Sequence, residues 1–193
     1  MKLIDFVKLS KEDIKGKIIC FITDTVYGVG CLYNDEEAIK KIYSLKRRDE
    51  HKPLAVLIGN INDVNLFTNV VNNESRQLMN KYWPGALTII YPKRIDLNIS
   101  YLNELSTIGL RMPNSPVSLE ILKHFGPMAT TSVNISGNKP INNLGEIKEL
   151  FKDKIDYYID DIHPLSEISS TVVDVSCGNI RILRQGSIII SED

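Results

Sequence analysis

Six of the chain's 23 lysines and arginines fall between positions 40 and 52: Lys40, Lys41, Lys46, Arg47, Arg48 and Lys52. An even spread would place about 1.5 there. Asp49 and Glu50 leave this stretch with a balance of +4. Lysine offers phosphate oxygens a point charge and arginine offers a planar fork, so the run reads as a polyphosphate clamp. Two plainer readings stand beside it. Basic runs are commonly solvated faces, and cations near a helix C-terminus complement the macrodipole.

Three other segments carry polar chemistry. Thr23-Asp24-Thr25-Val26-Tyr27-Gly28-Val29-Gly30 follows an apolar run and combines hydroxyls with glycines. Such a strand exit allows close backbone approach to a ligand, or is simply a tight turn. Thr130-Thr131-Ser132-Val133-Asn134-Ile135-Ser136-Gly137 is a second polar exit. Two of them in one α/β domain suit a ligand crevice at strand ends, although hydroxyls and amides there also cap the succeeding segment. Arg111 and Arg184 each interrupt an apolar run, and Ser169-Ser170-Thr171 beside a Val-rich strand adds another small polar group. Arginine is rarely buried unpaired, so each meets either an internal carboxylate or an anionic ligand.

Several functions are excluded. Tyr33 breaks any GxGxxG reading of the first exit, and no GxxxxGK[ST] occurs, so neither a dinucleotide fingerprint nor a P-loop is present. Cys20, Cys31 and Cys177 form no CxxC pair and lie in or beside apolar runs, which predicts buried free thiols in a reducing cytoplasm. His51, His124 and His163 are scattered, so no built-in metal site is expected. The N-terminus lacks the apolar core of a signal peptide, and apolar runs are strand-sized, so cytoplasmic residence without a membrane partner is expected. The 193 residues carry a net charge of -1, which argues against a surface coated for nucleic acid.

These groups need a scaffold. Residues 17–23 (KIICFIT) read as a buried strand. Residues 34–46 open on a capping Asn34 and place Ala38, Ile39, Ile42, Tyr43 and Leu45 at helical spacing. Strands are expected over 54–58, 86–91, 107–111, 128–133 and 155–159, and a hairpin over 171–176 and 179–183 about Cys177-Gly178. Helices are expected over 73–83, ended by Pro84-Gly85, from Ser115-Pro116 to Gly126, and over 145–152. Residues 93–106 form the longest irregular stretch, of the kind that is often functional. The fold class is α/β: a single domain over 1–193 with a twisted mixed parallel and antiparallel sheet flanked by helices.

In order, these segments resemble the YrdC-like family, the threonylcarbamoyl-AMP synthases. The residues that carry the resemblance are Thr23-Asp24-Thr25-Val26-Tyr27-Gly28, Lys46-x-Arg48 with Lys52-Pro53-Leu54, and Tyr82-Trp83-Pro84-Gly85-Ala86-Leu87-Thr88. They continue with Ile108-Gly109-Leu110-Arg111-Met112-Pro113, Thr131-Ser132-Val133-Asn134-Ile135-Ser136-Gly137, Ser170-Thr171-Val172-Val173-Asp174 and Leu183-Arg184-Gln185-Gly186. Each motif alone is weak, and the ordered set over residues 17–190 is specific. The length suits the single-domain form of the family.

The resemblance implies synthesis of L-threonylcarbamoyl-AMP from L-threonine, bicarbonate and ATP, with release of pyrophosphate. The product feeds threonylcarbamoyladenosine modification of tRNA through downstream transfer proteins. By the same resemblance, Lys46, Arg48 and Lys52 hold the ATP phosphates, Lys46 and Arg48 as the catalytic pair, and Arg184 and Asn134 complete the nucleotide site with Thr107 and Asn142. Thr25, Arg111, Ser132 and Ser170 surround threonine, with Arg111 toward its carboxylate. Mg2+ accompanies ATP, with no built-in metal. Three positions depart from the family pattern: Asp49 where Pro usually follows Lys-x-Arg, Ile22 where Pro often precedes Thr-x-Thr, and Leu57 where some members have His. The alternative is an RNA-binding module of the YciO type without synthase activity. Weak RNA contact by the 40–52 patch would fall steeply with salt. The hydrogenase-maturation relatives that transfer carbamoyl groups carry acylphosphatase and zinc-finger regions, for which this chain has neither length nor cysteines.

Overall fold

A computed structural model describes residues 3–49, 51–102, 104–159, 161 and 165–190. Glu50 of the basic run and His163 lie outside the described residues. A short helix α1 (Leu3–Phe6) precedes β1 (Ile19–Ile22), β2 (Tyr27–Leu32), α2 (Glu36–Lys46) and β3 (Ala55–Leu57). Then come α3 (Asn73–Tyr82), β4 (Leu87–Pro92), β5 (Thr107–Arg111), α4 (Pro116–Phe125) and β6 (Met128–Ser132). The chain continues through α5 (Leu144–Leu150), β7 (Tyr157–Tyr158), β8 (Thr171–Asp174) and β9 (Arg181–Arg184).

The strands form one nine-stranded sheet in the order β7-β1-β2-β6-β3-β5-β4-β8-β9. It is mixed as expected: β1–β7, β3–β5 and β4–β8 are parallel, and the other neighbours are antiparallel. Side chains alternate across a strand, so each strand serves two faces. Val56, Ile89, Ile108, Leu110, Ala129 and Val173 are at most 1% exposed and belong to the apolar core. Their chain neighbours Ala55, Leu57, Thr88, Ile90, Thr107, Gly109, Arg111, Thr130 and Val172 line a cleft on the opposite face.

The helix that leads to the basic run is built by local signals. Asp35 caps it, its Oδ1 accepting from Ala38 N at 3.1 Å, one residue later than the expected Asn34. Ala38, Ile39, Ile42, Tyr43 and Leu45 are buried, and Lys46 is buried with them. Arg47 stops the helix in the left-handed conformation (φ 49°), its N–H bonded to Ser44 O while Arg48 N reaches Tyr43 O. This closure satisfies the last carbonyls and turns Arg48 away from the helix axis.

Three expectations need correction. Residues 27–32 are a strand, not an exit loop, because Gly28 and Gly30 let β6 approach. A Cβ would stand 3.0 Å from Thr130 Cγ2 at Gly28 and 2.7 Å from Thr130 Oγ1 at Gly30. The strand of residues 155–159 shortens to Tyr157–Tyr158. The described part of residues 93–106 is a loop as expected, with a short 3-10 turn at Ser100–Leu102; Lys93 N donates to Ser106 O at 2.8 Å, and Ile99 and Leu102 are in the core. Cys20 and Cys31 are buried as expected, but Cys177 is exposed in the β8–β9 turn, where neighbouring polar residues leave nothing to cover it.

Candidate functional site

The cleft has a volume of about 340 Å³ and is floored by β6, β3, β5, β4 and β8. Seven of the residues singled out from the sequence line it: Thr25, Arg48, Thr107, Arg111, Ser132, Ser170 and Arg184. Three of these are arginines, and among the described residues no carboxylate lines the cleft. Apolar contacts come from Val26, Leu54, Leu57, Ile90 and Val172.

Each arginine is held differently. Arg111 donates from Nε to Gly85 O at 3.0 Å, and from its two terminal nitrogens to Thr25 Oγ1 at 2.8 Å and Asp24 Oδ1 at 2.5 Å. The sequence left open whether Arg111 meets a carboxylate or a ligand. It meets Asp24 and still borders the cleft. Arg184 grips Ser170 O through Nε and Nη2 at 3.0 and 2.9 Å, with Nη2 also 3.1 Å from Ser170 Oγ. Arg48 donates to Lys52 O at 3.1 Å and Pro53 O at 3.0 Å. Among the described residues neither Arg48 nor Arg184 has a carboxylate in salt-bridge range. Burial lowers the pKa of all three guanidiniums, and they stay charged because their ordinary values are so high. Carbonyl partners orient a guanidinium without neutralising it, so the cleft carries a field suited to an anion.

Lys46, Lys52, Asn134 and Asn142 do not line the cleft. Lys46 is 1% exposed, and its ammonium turns beneath the floor. It donates to Ser132 O, to Asn134 O at 3.0 Å and to Asn134 Oδ1 at 2.8 Å. Its own carbonyl accepts from Ser136 N at 2.8 Å. Burial first, and then the charge of Arg48, lower its pKa from 10.5 to about 8. Asn134 spends its amide on Ile135 O and Asn138 O, and its Oδ1 also accepts from Ser132 Oγ at 2.6 Å. Lys46 and Asn134 therefore tie the end of α2 to the turn after β6, and so set where Ser132 stands. The signal for Lys46 was present in the sequence: it continues the buried Ile39 and Ile42 positions at helical spacing. Lys52 is exposed and contributes its carbonyl, which accepts from Arg48 and from the Tyr43 hydroxyl at 3.0 Å. Asn142 Oδ1 is buried and lacks a hydrogen-bond partner among the described residues.

Sequence reasoning missed three contributors. Asp24 pairs with Arg111. Thr23 Oγ1 accepts from Thr25 N and Val26 N at 3.1 and 3.2 Å and shapes the turn that aims Thr25. Thr88 shares a hydrogen bond with Ser170 at 2.8 Å, joining β4 to the segment that enters β8. All three stand inside motifs already singled out, but nothing in the spacing of Asp24 names a partner 87 residues away in the chain. The three departures are accommodated: Leu57 lines the cleft, Ile22 is buried in β1, and Asp49 Oδ1 caps a turn through His51 N at 3.0 Å.

Residues 14–186 match the model of a family described as telomere recombination, which groups Sua5, YciO and YrdC. A Methanocaldococcus jannaschii protein named as a candidate threonylcarbamoyl-AMP synthase is 33% identical, over 99% of this chain and 89% of its own. The threonylcarbamoyl-AMP synthase of Pyrococcus abyssi is 31% identical, over 92% of this chain and 53% of that longer protein. The crystal structure of P. abyssi Sua5 complexed with L-threonine superimposes with a TM-score of 0.86 at 30% identity, covering 95% of this chain and 54% of that one.

Proposed function

This chain belongs to the Sua5–YciO–YrdC family, and from that premise we propose that it is a threonylcarbamoyl-AMP synthase. It is a nucleotidyltransferase that joins L-threonine, bicarbonate or CO2 and ATP and releases pyrophosphate. The observation that carries the reading is a cleft bordered by three guanidiniums and by no carboxylate among its described lining residues. The reaction brings together a carboxylate, a carbamate and a triphosphate, so neutralisation and positioning are its main demands.

The neutral threonine amine adds to CO2 and loses a proton, giving a carbamate. A carbamate oxygen then forms a bond to the α-phosphorus of ATP as the bond to the β-phosphate bridge breaks, and pyrophosphate leaves. Arg48 and Arg184, oriented by carbonyls and free of carboxylates, are the proposed phosphate contacts. Lys46 adds positive potential from below and holds Ser132. Thr107, which lines the cleft, is a further proposed nucleotide contact, and Lys52, Asn134 and Asn142 are proposed to act through the loops they belong to. Arg111, Thr25, Ser132 and Ser170 are the proposed threonine contacts. Arg111 retains two of its five N–H groups for a carboxylate after three are used internally.

Mg2+ enters as part of the substrate, Mg·ATP. Among the described residues the lining offers it hydroxyls and no carboxylate, which suits an ion held through phosphates and water. Transfer of the threonylcarbamoyl group to tRNA belongs to downstream proteins. Among the described residues no helix is long and apolar enough to cross a membrane, and the cytoplasm, where tRNA and ATP meet, is the proposed location. An RNA-binding module without synthase activity is not favoured, because Arg48, Arg111 and Arg184 border one cleft, although Lys40, Arg47 and Lys52 of the basic run are exposed outside it. The test is pyrophosphate release on incubation with ATP, bicarbonate and each amino acid in turn. Release that depends on L-threonine is expected. Release indifferent to threonine, or none, refutes the proposal.

A further inference from the structure

At one end of the cleft Arg111 is fixed on three sides, by Gly85 O, Thr25 Oγ1 and Asp24 Oδ1. Its side chain is 8% exposed and that of Asp24 is 14% exposed, so water screens this pair little. Among the described ion pairs this is the one that brings a carboxylate to a cleft arginine. Arg184 lies close enough for its charge to oppose ionised Arg111, and Asp24 acts in the opposite sense. The backbone around Asp24 is itself strapped down: Ser166 N donates to Asp24 O at 3.0 Å and Glu167 N to Thr25 O at 2.8 Å. Glu167 adopts a left-handed conformation (φ 59°) to make this contact. Chain segments from three parts of the sequence thus converge on the orientation of one guanidinium.

We propose that Asp24 is the positioning residue of the amino-acid end of the cleft: it sets the plane of the Arg111 guanidinium and offsets the repulsion from Arg184, leaving two Arg111 N–H groups for the α-carboxylate of threonine. This rests on the reading of Arg111 as the carboxylate partner. A planar guanidinium can serve one carboxylate along one edge and a second along another. Without the internal carboxylate, two neighbouring cations share a pocket with no fixed anion, and Arg111 is free to turn from its productive plane. The binding step for threonine then suffers, while ATP, which meets Arg48 and Arg184, is less affected.

The experiment compares the whole chain with Asp24→Asn, which keeps an oxygen toward Arg111 and removes the charge. The expected result is a rise of at least tenfold in KM for L-threonine, a smaller change in kcat, and KM for ATP within threefold. Asp24→Glu restores the charge and is expected to recover part of the threonine affinity. Should Asp24→Asn not fold, Asp24→Glu carries the test alone: a carboxylate one methylene longer displaces the guanidinium, so threonine binding weakens and ATP binding does not. Unchanged threonine affinity in Asp24→Asn, or equal losses for threonine and ATP in either variant, overturns the proposal. Calorimetric titration with L-threonine alone separates it from the synthase reading. A wild-type chain that binds threonine but releases no pyrophosphate sinks the synthase reading only, and the variants' titrations still decide Asp24. A wild-type chain that binds no threonine overturns the role given to Asp24.

Discussion

Gly186→Ala tests whether the Arg184 wall of the cleft is held by backbone contact. A Cβ at Gly186 would lie 2.2 Å from Ser169 O, 2.5 Å from Thr171 N and 2.6 Å from Ser170 C. All three are backbone atoms that cannot swing aside. Ordinary contact needs about 3.5 Å, so the two backbones must separate by about 1 Å. Such overpacking costs roughly 1–3 kcal/mol. The Gly186 N to Thr171 Oγ1 hydrogen bond of 2.9 Å is strained with it, which adds about 1 kcal/mol. The sum is about 2–4 kcal/mol, below the total stability of a typical domain, so the variant folds. Its Tm falls by about 5–15 °C. Ser170 is both the carbonyl that orients Arg184 and the hydroxyl bonded to Thr88, so the displacement also moves the cleft wall. A misplacement of that size at reacting groups costs on the order of a hundredfold in rate. Differential scanning calorimetry and threonine-dependent pyrophosphate release read the two effects. A Tm within 1 °C of wild type, or full activity in the destabilised variant, refutes the reasoning.

Gly109→Ala is the converse case: its Cβ would meet Thr88 Cγ2 at 3.4 Å and Ile90 Cγ1 at 3.8 Å, ordinary contacts on the cleft floor. Its Tm stays within about 2 °C of wild type while ligand affinity falls, and a large loss of stability would contradict this in a melting curve. Arg48→Ala keeps the fold and loses most ATP affinity, measured by nucleotide titration, and an unchanged affinity refutes its role. Lys46 makes stability depend on pH: folding favours its neutral amine, so its contribution is complete above pH 10.5 and is lost as pH falls through about 8. The wild type therefore gains on Lys46→Met by up to about 3 kcal/mol over that window, and a flat difference in urea unfolding would contradict the burial argument. A thiol-reactive dye labels Cys177 rapidly in the native protein, while Cys20, pushed up to about 12 by burial, and Cys31, also raised by burial, react only on unfolding. Native labelling of more than one thiol would refute that assignment.

Elements with local punctuation were legible from the residues alone. Ser115 caps α4, Pro116 opens it and Gly126 closes it, as their types require. Thr107–Arg111 is a strand at its expected bounds, and the hairpin about Cys177-Gly178 is β8 paired with β9. The strand Tyr27–Leu32 was not legible, because its glycines carry no strand preference. Their value appears only where Thr130 approaches them.

The same division runs through the candidate site. Residue types along the chain set which chemistry was available: a cationic run, two hydroxyl-rich segments and two arginines within apolar strands. Capping, periodicity and residue type act over a few positions, so they can be read along the chain. Tertiary structure alone decided that Arg111 meets Asp24 while Arg184 meets carbonyl and hydroxyl oxygens of Ser170. It also decided that the Lys46 ammonium is satisfied by Ser132 and Asn134, 86 and 88 residues away. Those outcomes depend on the order in which the strands pair. Pairing places distant residues on one face of the sheet, and burial there forces each charge to find a partner or wait for a ligand.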